Sequence, residues 1–241
     1  MKSAAATAKK SNWMGKFSKV ALVIILVSIA GVSILHLIWK YSGSSQWKLE
    51  LDKDGVQVYS LKSPGSTLKH YRIVSRIKTT LNRVVANFRD DSLQNCKDWI
   101  PGCASENTIE SWNSQGQYSI LDYRVNLPFP FSPRELVVKE QFSQDPQSKS
   151  VFIDVMAVPD ALPEDKCCVR VTHMHNRWRW TPLKNGEVEV EIMEDMDPQL
   201  PYVLTNSRAA GLCKFLSRVP TLLNKEQYQN QKFDFIQEPS T

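Results

Sequence analysis

Residues 118–141 read YSILDYRVNLPFPFSPRELVVKEQ, and this stretch decides the fold. Leu121, Tyr123 and Val125 alternate with Asp122, Arg124 and Asn126, the two-residue period of a strand with one buried face. Pro128, Pro130 and Pro133 each lack a backbone donor and fix φ, so LPFPFSP must turn or cross a sheet edge. Beyond it, Leu136, Val138, Glu140 and Phe142 point one way, and Val137, Lys139, Gln141 and Ser143 the other. The first set reads as the inward face and carries one carboxylate, Glu140, among apolar neighbours. Two strands joined by a proline-punctuated turn are expected.

Working outward, the same reading predicts strands at 56–61, 68–78, 104–113, 117–126, 134–142, 150–157, 168–180 and 187–194. Leu81, Val84, Val85 and Phe88 predict a helix over 80–89, a second short helix fits 91–99, and a last helix over 200–219 ends at Pro220. Its face at Ala209, Leu212, Leu216 and Val219 is apolar at spacings of three and four. Antiparallel strands followed by one long helix make an α+β domain whose sheet buries its apolar face on that helix. The tail, 226–241, is polar, with Phe233, Phe235 and Ile236 available to dock.

The N-terminus is set apart by composition. A basic segment, 1–19, holds Lys2, Lys9, Lys10, Lys16 and Lys19, and an uncharged apolar run follows over 20–39. Twenty residues at about 1.5 Å each reach about 30 Å, the thickness of a bilayer core. This predicts one transmembrane helix, then a short polar linker, 40–46, and a domain over 47–225. The lysines before the span outweigh Lys40, Lys48 and Lys53 after it, which places the N-terminus in the cytoplasm and the domain across the membrane.

The chain carries 30 Lys and Arg against 25 Asp and Glu. Its first 45 residues hold six of the lysines and no acid, which leaves the domain with 24 basic and 25 acidic groups. The basic balance belongs to the anchor, so nothing favours nucleic acid as a partner. The five cysteines are too few and too odd in number for a disulfide framework. A Cys96–Cys103 bridge in an oxidising compartment and buried free thiols are both open. Cys167 and Cys168, read as neighbours in a strand, point to opposite faces and argue against a bond between them.

The 118–141 unit resembles the signature of START domains, the StAR-related lipid-transfer family. Trp47 with DGVQVYSLK (54–62), Trp99-Ile-Pro, Glu110-Ser-Trp and the run 167–201 are similar to further parts of that family's pattern. The segment Asp197-Pro-Gln-Leu-Pro departs from it, being shorter and without glycine. The resemblance implies a helix-grip fold: a curved antiparallel sheet wrapped around a long C-terminal helix, with a tunnel for one lipid. It also implies that the loop 158–166, VPDALPEDK, gates the tunnel through Ala161 and Leu162. In sterol-carrying relatives a buried acid and arginine flank the proline turn; counted from Arg134, those positions are Leu121 and Glu140, so that pair is not reproduced.

The expected ligand-binding residues are Glu140, Arg170, Leu121, Tyr123, Val138, Leu212 and Leu216. Glu140 and Arg170 each sit in an apolar strand, and a buried charge needs a partner. Either they form a polar spot in the cavity, or Arg170 faces water and Glu140 pairs with a nearby Lys or Arg at the rim. No nucleophile elbow, HExxH, P-loop or CxxC occurs, and no cofactor or metal is implied; His173 and His175 lack a third ligand. The reading is a membrane-tethered, non-enzymatic lipid-binding protein. Its rivals are a cyclase-type helix-grip enzyme using Glu140, Arg170 or His173, and an interaction module with a filled core.

Overall fold

The computed structural model describes residues 4–239, with side chains from residue 16 onward; Lys2 of the basic segment lies outside the described residues. In chain order the elements are α1 (Ala4–Tyr41), β1 (Lys48–Lys53), β2 (Val56–Leu61), β3 (His70–Ile77), α2 (Leu81–Phe88), α3 (Leu93–Trp99), β4 (Cys103–Asn113), β5 (Tyr118–Val125) and β6 (Arg134–Gln144). There follow β7 (Val151–Ala157), a short 3-10 turn (Pro159–Ala161), β8 (Val169–Arg170), β9 (His173–Pro182), β10 (Val188–Glu194), β11 (Met196–Asp197), α4 (Tyr202–Thr205), α5 (Ala209–Leu223) and a 3-10 turn (Glu226–Tyr228).

The main path of the sheet runs β1-β2-β3-β10-β9-β7-β6-β5-β4, antiparallel throughout. Strands β2, β7 and β10 bury alternate residues, as a sheet with one covered face requires. Helix α5 crosses β1, β2 and β3 at one end of the sheet, and α3 packs on β4 at the other. Leu216, Val219 and Leu223 meet Val56, Val58, Ile73 and Trp180 in the core between them. This is the helix-grip arrangement.

Local chemistry accounts for several boundaries. Thr80 and Ser92 cap α2 and α3, each accepting a backbone N–H three residues on. Asp54 and Gly55, at φ 54° and 75°, form the two-residue loop joining β1 to β2. That backbone is the mirror-image turn that matches strand twist. The polar linker is packed into the domain. A Cβ on Gly43, at φ 113°, would lie 2.3 Å from the Lys62 carbonyl oxygen, so only glycine fits there.

Four expectations need correction. The predicted strand 168–180 is two strands: β8 pairs parallel with β6, and the chain then shifts partner at Val171–Thr172 to join β7 as β9. The last helix is broken at residues 206–208. Asn206 is held by the β3 approach, accepting from Lys69 N at 2.8 Å and donating to Thr67 O at 2.8 Å, while its own carbonyl accepts from Tyr71 Oη. Pro220 lies inside α5 rather than ending it. Burial of Leu222 and Leu223 carries the helix one turn further, and Asn224 donates to the Pro220 carbonyl from backbone and side chain. The cysteines are mostly oxidised: Cys96 bonds Cys103, and Cys167 bonds Cys168, leaving Cys213 free and buried. The second pair sits in a turn, where the opposite-face rule of a strand does not apply.

The tail is docked. Ile236 is buried, Phe235 stacks on Trp112, and Glu238 accepts from the backbone N–H groups of Leu81 and Asn82 at the start of α2.

Candidate functional site

A cavity of about 190 Å³ lies where α2, α3 and α5 face strands β4 to β7 and β9. Its walls are aromatic. Phe88 meets Trp99 and Trp178 at ring-centroid distances of 5.2 Å, Trp99 meets Trp178 at 5.6 Å, and Phe215 of α5 packs on Trp99 at 5.5 Å. Leu136, Val138, Val155 and Met174 complete the apolar lining.

Its polar lining comprises three acids, Asp90, Glu106 and Glu140, with Tyr123, Asn87, Asn95 and Asn176. Glu140 on β6 is 6% exposed, and Tyr123 Oη donates to its Oε1 at 3.2 Å. Its Oε2 has no partner. Glu106 on β4 is the cross-strand neighbour of Tyr123. Desolvation raises the Glu140 pKa from the usual 4.5 to about 7, against the pull of the Tyr123 hydrogen bond. Desolvation also raises Glu106, to about 8, with the Glu140 charge adding to it. Tyr123 is pushed well up, by burial first and then by the charges of Glu140 and Glu106. Asp90 also lines the cavity, and among the described residues none of the lining is Lys, Arg or His. The Trp99 indole N–H is likewise unpartnered.

Three of the expected ligand residues line this space: Glu140, Tyr123 and Val138. Leu216 is core, Leu212 packs on the core, and Phe215 is the α5 residue that reaches the cavity. Leu121 is core and borders a smaller pocket beside Trp112. Arg170 lies elsewhere. Its guanidinium binds Glu135, whose side chain leaves β6 on the face opposite Glu140. It also donates to the carbonyls of Pro159, Leu162 and Pro163. The loop with Ala161 and Leu162 is therefore clasped against β6 and contributes no residue to the cavity. The gate expected there is not placed by this arrangement. His173 and His175 face water, paired with Asp195 and Asp154.

Sequence reasoning missed Glu106, Glu135, Trp99, Phe88 and Phe215. Strand β4 has irregular register at three points, so alternation along it does not report which face Glu106 takes.

The family model of the START domain matches residues 40–224. The chain belongs to the START family. An uncharacterized protein of Pseudomonas aeruginosa is 29% identical over 166 residues, 68% of this chain and 79% of that protein. The STAR-related lipid transfer protein of Xanthomonas axonopodis superposes with TM-score 0.64 at 23% identity, covering 74% of this chain and 99% of that one. Human STARD10 superposes with TM-score 0.65 at 15% identity, covering 78% and 76%. These two structures share the fold with this START domain.

Proposed function

We propose that this protein is a membrane-tethered lipid-binding protein. It holds one hydrophobic ligand, or the end of one, in the aromatic cavity and passes it between membranes or acceptors without covalent chemistry. The observation that carries this is the aromatic cavity under α5 of a START domain. A cavity of about 150 Å³ already takes a benzene ring, so this one suits a ring, a chain end or a small headgroup. A fold relative named as a lipid transfer protein supports the same reading. Native mass spectrometry of protein purified in volatile buffer tests it. A co-purified hydrophobic molecule in one-to-one ratio is expected, and a ligand-free protein that also fails to take up fluorescent lipid would refute it.

The tether rests on α1. Its stretch from Lys16 to Tyr41 is long and apolar enough to cross a membrane, with its apolar side chains exposed. The lysine bias and the Cys96–Cys103 bond both support a domain on the non-cytoplasmic, oxidising side. Lys232 is exposed in the C-terminal tail. A cysteine introduced there by Lys232→Cys should be labelled on intact cells by an impermeant maleimide. Labelling only after permeabilisation would reverse the orientation.

One observation favours a second reading, an enzyme: two carboxyls with pKa values near neutrality share a cavity with a phenol, the range suited to acid–base chemistry. It predicts turnover of a bound compound by the wild type and binding without turnover by Glu140→Gln.

A further inference from the structure

The cavity is built for charge of one sign. Glu106, Glu140 and Asp90 line it from β4, β6 and the α2–α3 connection, and no basic side chain joins them among the described residues. The Glu140 Oε2 atom is buried and unpartnered, on a side chain more than nine-tenths removed from water. A buried acceptor without a donor is costly, and where it faces a cavity a ligand can supply the donor. The rings of Trp99, Trp178, Phe88 and Phe215 line the same space, and aromatic rings attract cations.

From these observations we propose that the ligand's polar end is an ammonium group carrying at least one N–H, so that the preferred ligand class is an amine-bearing amphiphile. The inference rests on the lipid-binding reading above and names its ligand class. An ammonium N–H donates to Glu140 Oε2, and its charge offsets the mutual repulsion of Glu106 and Glu140. A quaternary ammonium would meet the aromatic rings but has no hydrogen to give Oε2. An alcohol could donate to Glu140 and accept from the Trp99 indole, yet it brings no charge. A carboxylate or phosphate adds a like charge to the cavity. Burial is the largest cause of both raised glutamate pKa values, and a cation bound beside them would lower both.

Four single-chain probes of equal length decide the matter with the full-length protein in detergent micelles of neutral headgroup. They are dodecylamine, dodecyltrimethylammonium, dodecanol and dodecanoic acid. Binding is read by quenching of Trp99 and Trp178 fluorescence and by calorimetry near pH 8. Dodecylamine should bind at least tenfold more tightly than each of the others. The Glu140→Gln and Glu106→Gln proteins should each lose most of that preference over dodecanol, while dodecanol affinity changes less than threefold. Glu189→Gln, on the outer face of β10 where Arg76 meets it, is the folded control and should behave as wild type. Equal or tighter binding of dodecanol or dodecanoic acid by the wild type overturns the ammonium inference and leaves lipid binding standing. A preference for the amine that survives both cavity substitutions assigns it to micelle charge and also overturns it. Failure of all four probes, together with a ligand-free native mass spectrum, removes both readings.

Discussion

Arg170 is locked onto Glu135, with Nε and Nη2 both 2.8 Å from the same carboxylate oxygen, Oε2. Both side chains are buried, and the remaining donors of Arg170 are taken by three carbonyls of the 158–166 loop. Removing one partner leaves an uncompensated buried charge, which costs about 3–5 kcal/mol. Arg170→Ala should lower the urea midpoint accordingly and open the loop to limited proteolysis. Arg170→Lys should recover only part of the loss, because an ammonium cannot reproduce the planar fork. A lysine variant as stable as wild type would show that the clasp is not what holds the loop.

Glu140 sets a pH dependence of stability. Its folded pKa lies above the unfolded 4.5, at about 7, so the native state holds the proton more tightly. The stabilisation is present below about pH 4.5 and lost as pH rises through about 7. Glu140→Gln keeps an acceptor for Tyr123 and removes the charge. Its advantage over wild type should therefore grow between about pH 5 and 8, by roughly 1–3 kcal/mol. Denaturation curves at those two pH values, without ligand, measure it; parallel pH profiles for both proteins would contradict the assignment.

The Cys96–Cys103 bond joins α3 to the first residue of β4 across a sequence separation of 7, beside the cavity. Closing so short a loop is worth about 2–3 kcal/mol on the chain-entropy account. Cys103→Ser should lower stability by about that amount and weaken ligand binding through the freed α3. Intact-mass measurement before and after reduction checks the bonding state, and free thiols at Cys96 and Cys103 in protein purified without reductant would contradict it.

Trp39, at the end of α1, stacks on Tyr202 of α4 with ring centroids 6.0 Å apart and planes 8° apart. Its indole also donates to Thr67 O at 2.9 Å. An aromatic pair of this kind contributes about 0.5–1.5 kcal/mol. Tyr202→Ala should speed amide exchange across 202–206 by up to about tenfold without changing the global unfolding midpoint. Unaltered exchange there would mean that the helix end and α4 are not coupled.

The sheet was readable because it is amphipathic in the simplest way. Strands β2, β7 and β10 alternate without bulges, so their faces followed from residue parity. Strand β1 was overlooked although Asp54-Gly55 is a strong hairpin signal, because its exposed residues show no apolar period. The placement of Arg170 does not follow from residue parity, because the chain changes partner strands at Val171–Thr172. Phe215 escapes because it lies at the edge of the apolar face formed by Leu212, Leu216 and Val219, where it meets Trp99 rather than the main core. Glu140 was legible as a lone carboxylate on an apolar strand, whereas its companion Glu106 required the three-dimensional register.

The segment from Lys40 to Ser45 has no slack: Lys62 Nζ donates to Ser42 O at 2.8 Å, and Gly43 presses on the Lys62 carbonyl. A free chain of that length would give an excursion of roughly 15 Å; here the domain is held at the end of its own helix. On the proposed topology the supply of ligand is then set by its mole fraction in one leaflet, not by its aqueous concentration. Delivery would need a second bilayer or a soluble acceptor to come to the domain. Such a protein is a stationary loading point, and its throughput would follow the area of close membrane apposition rather than how fast the protein diffuses.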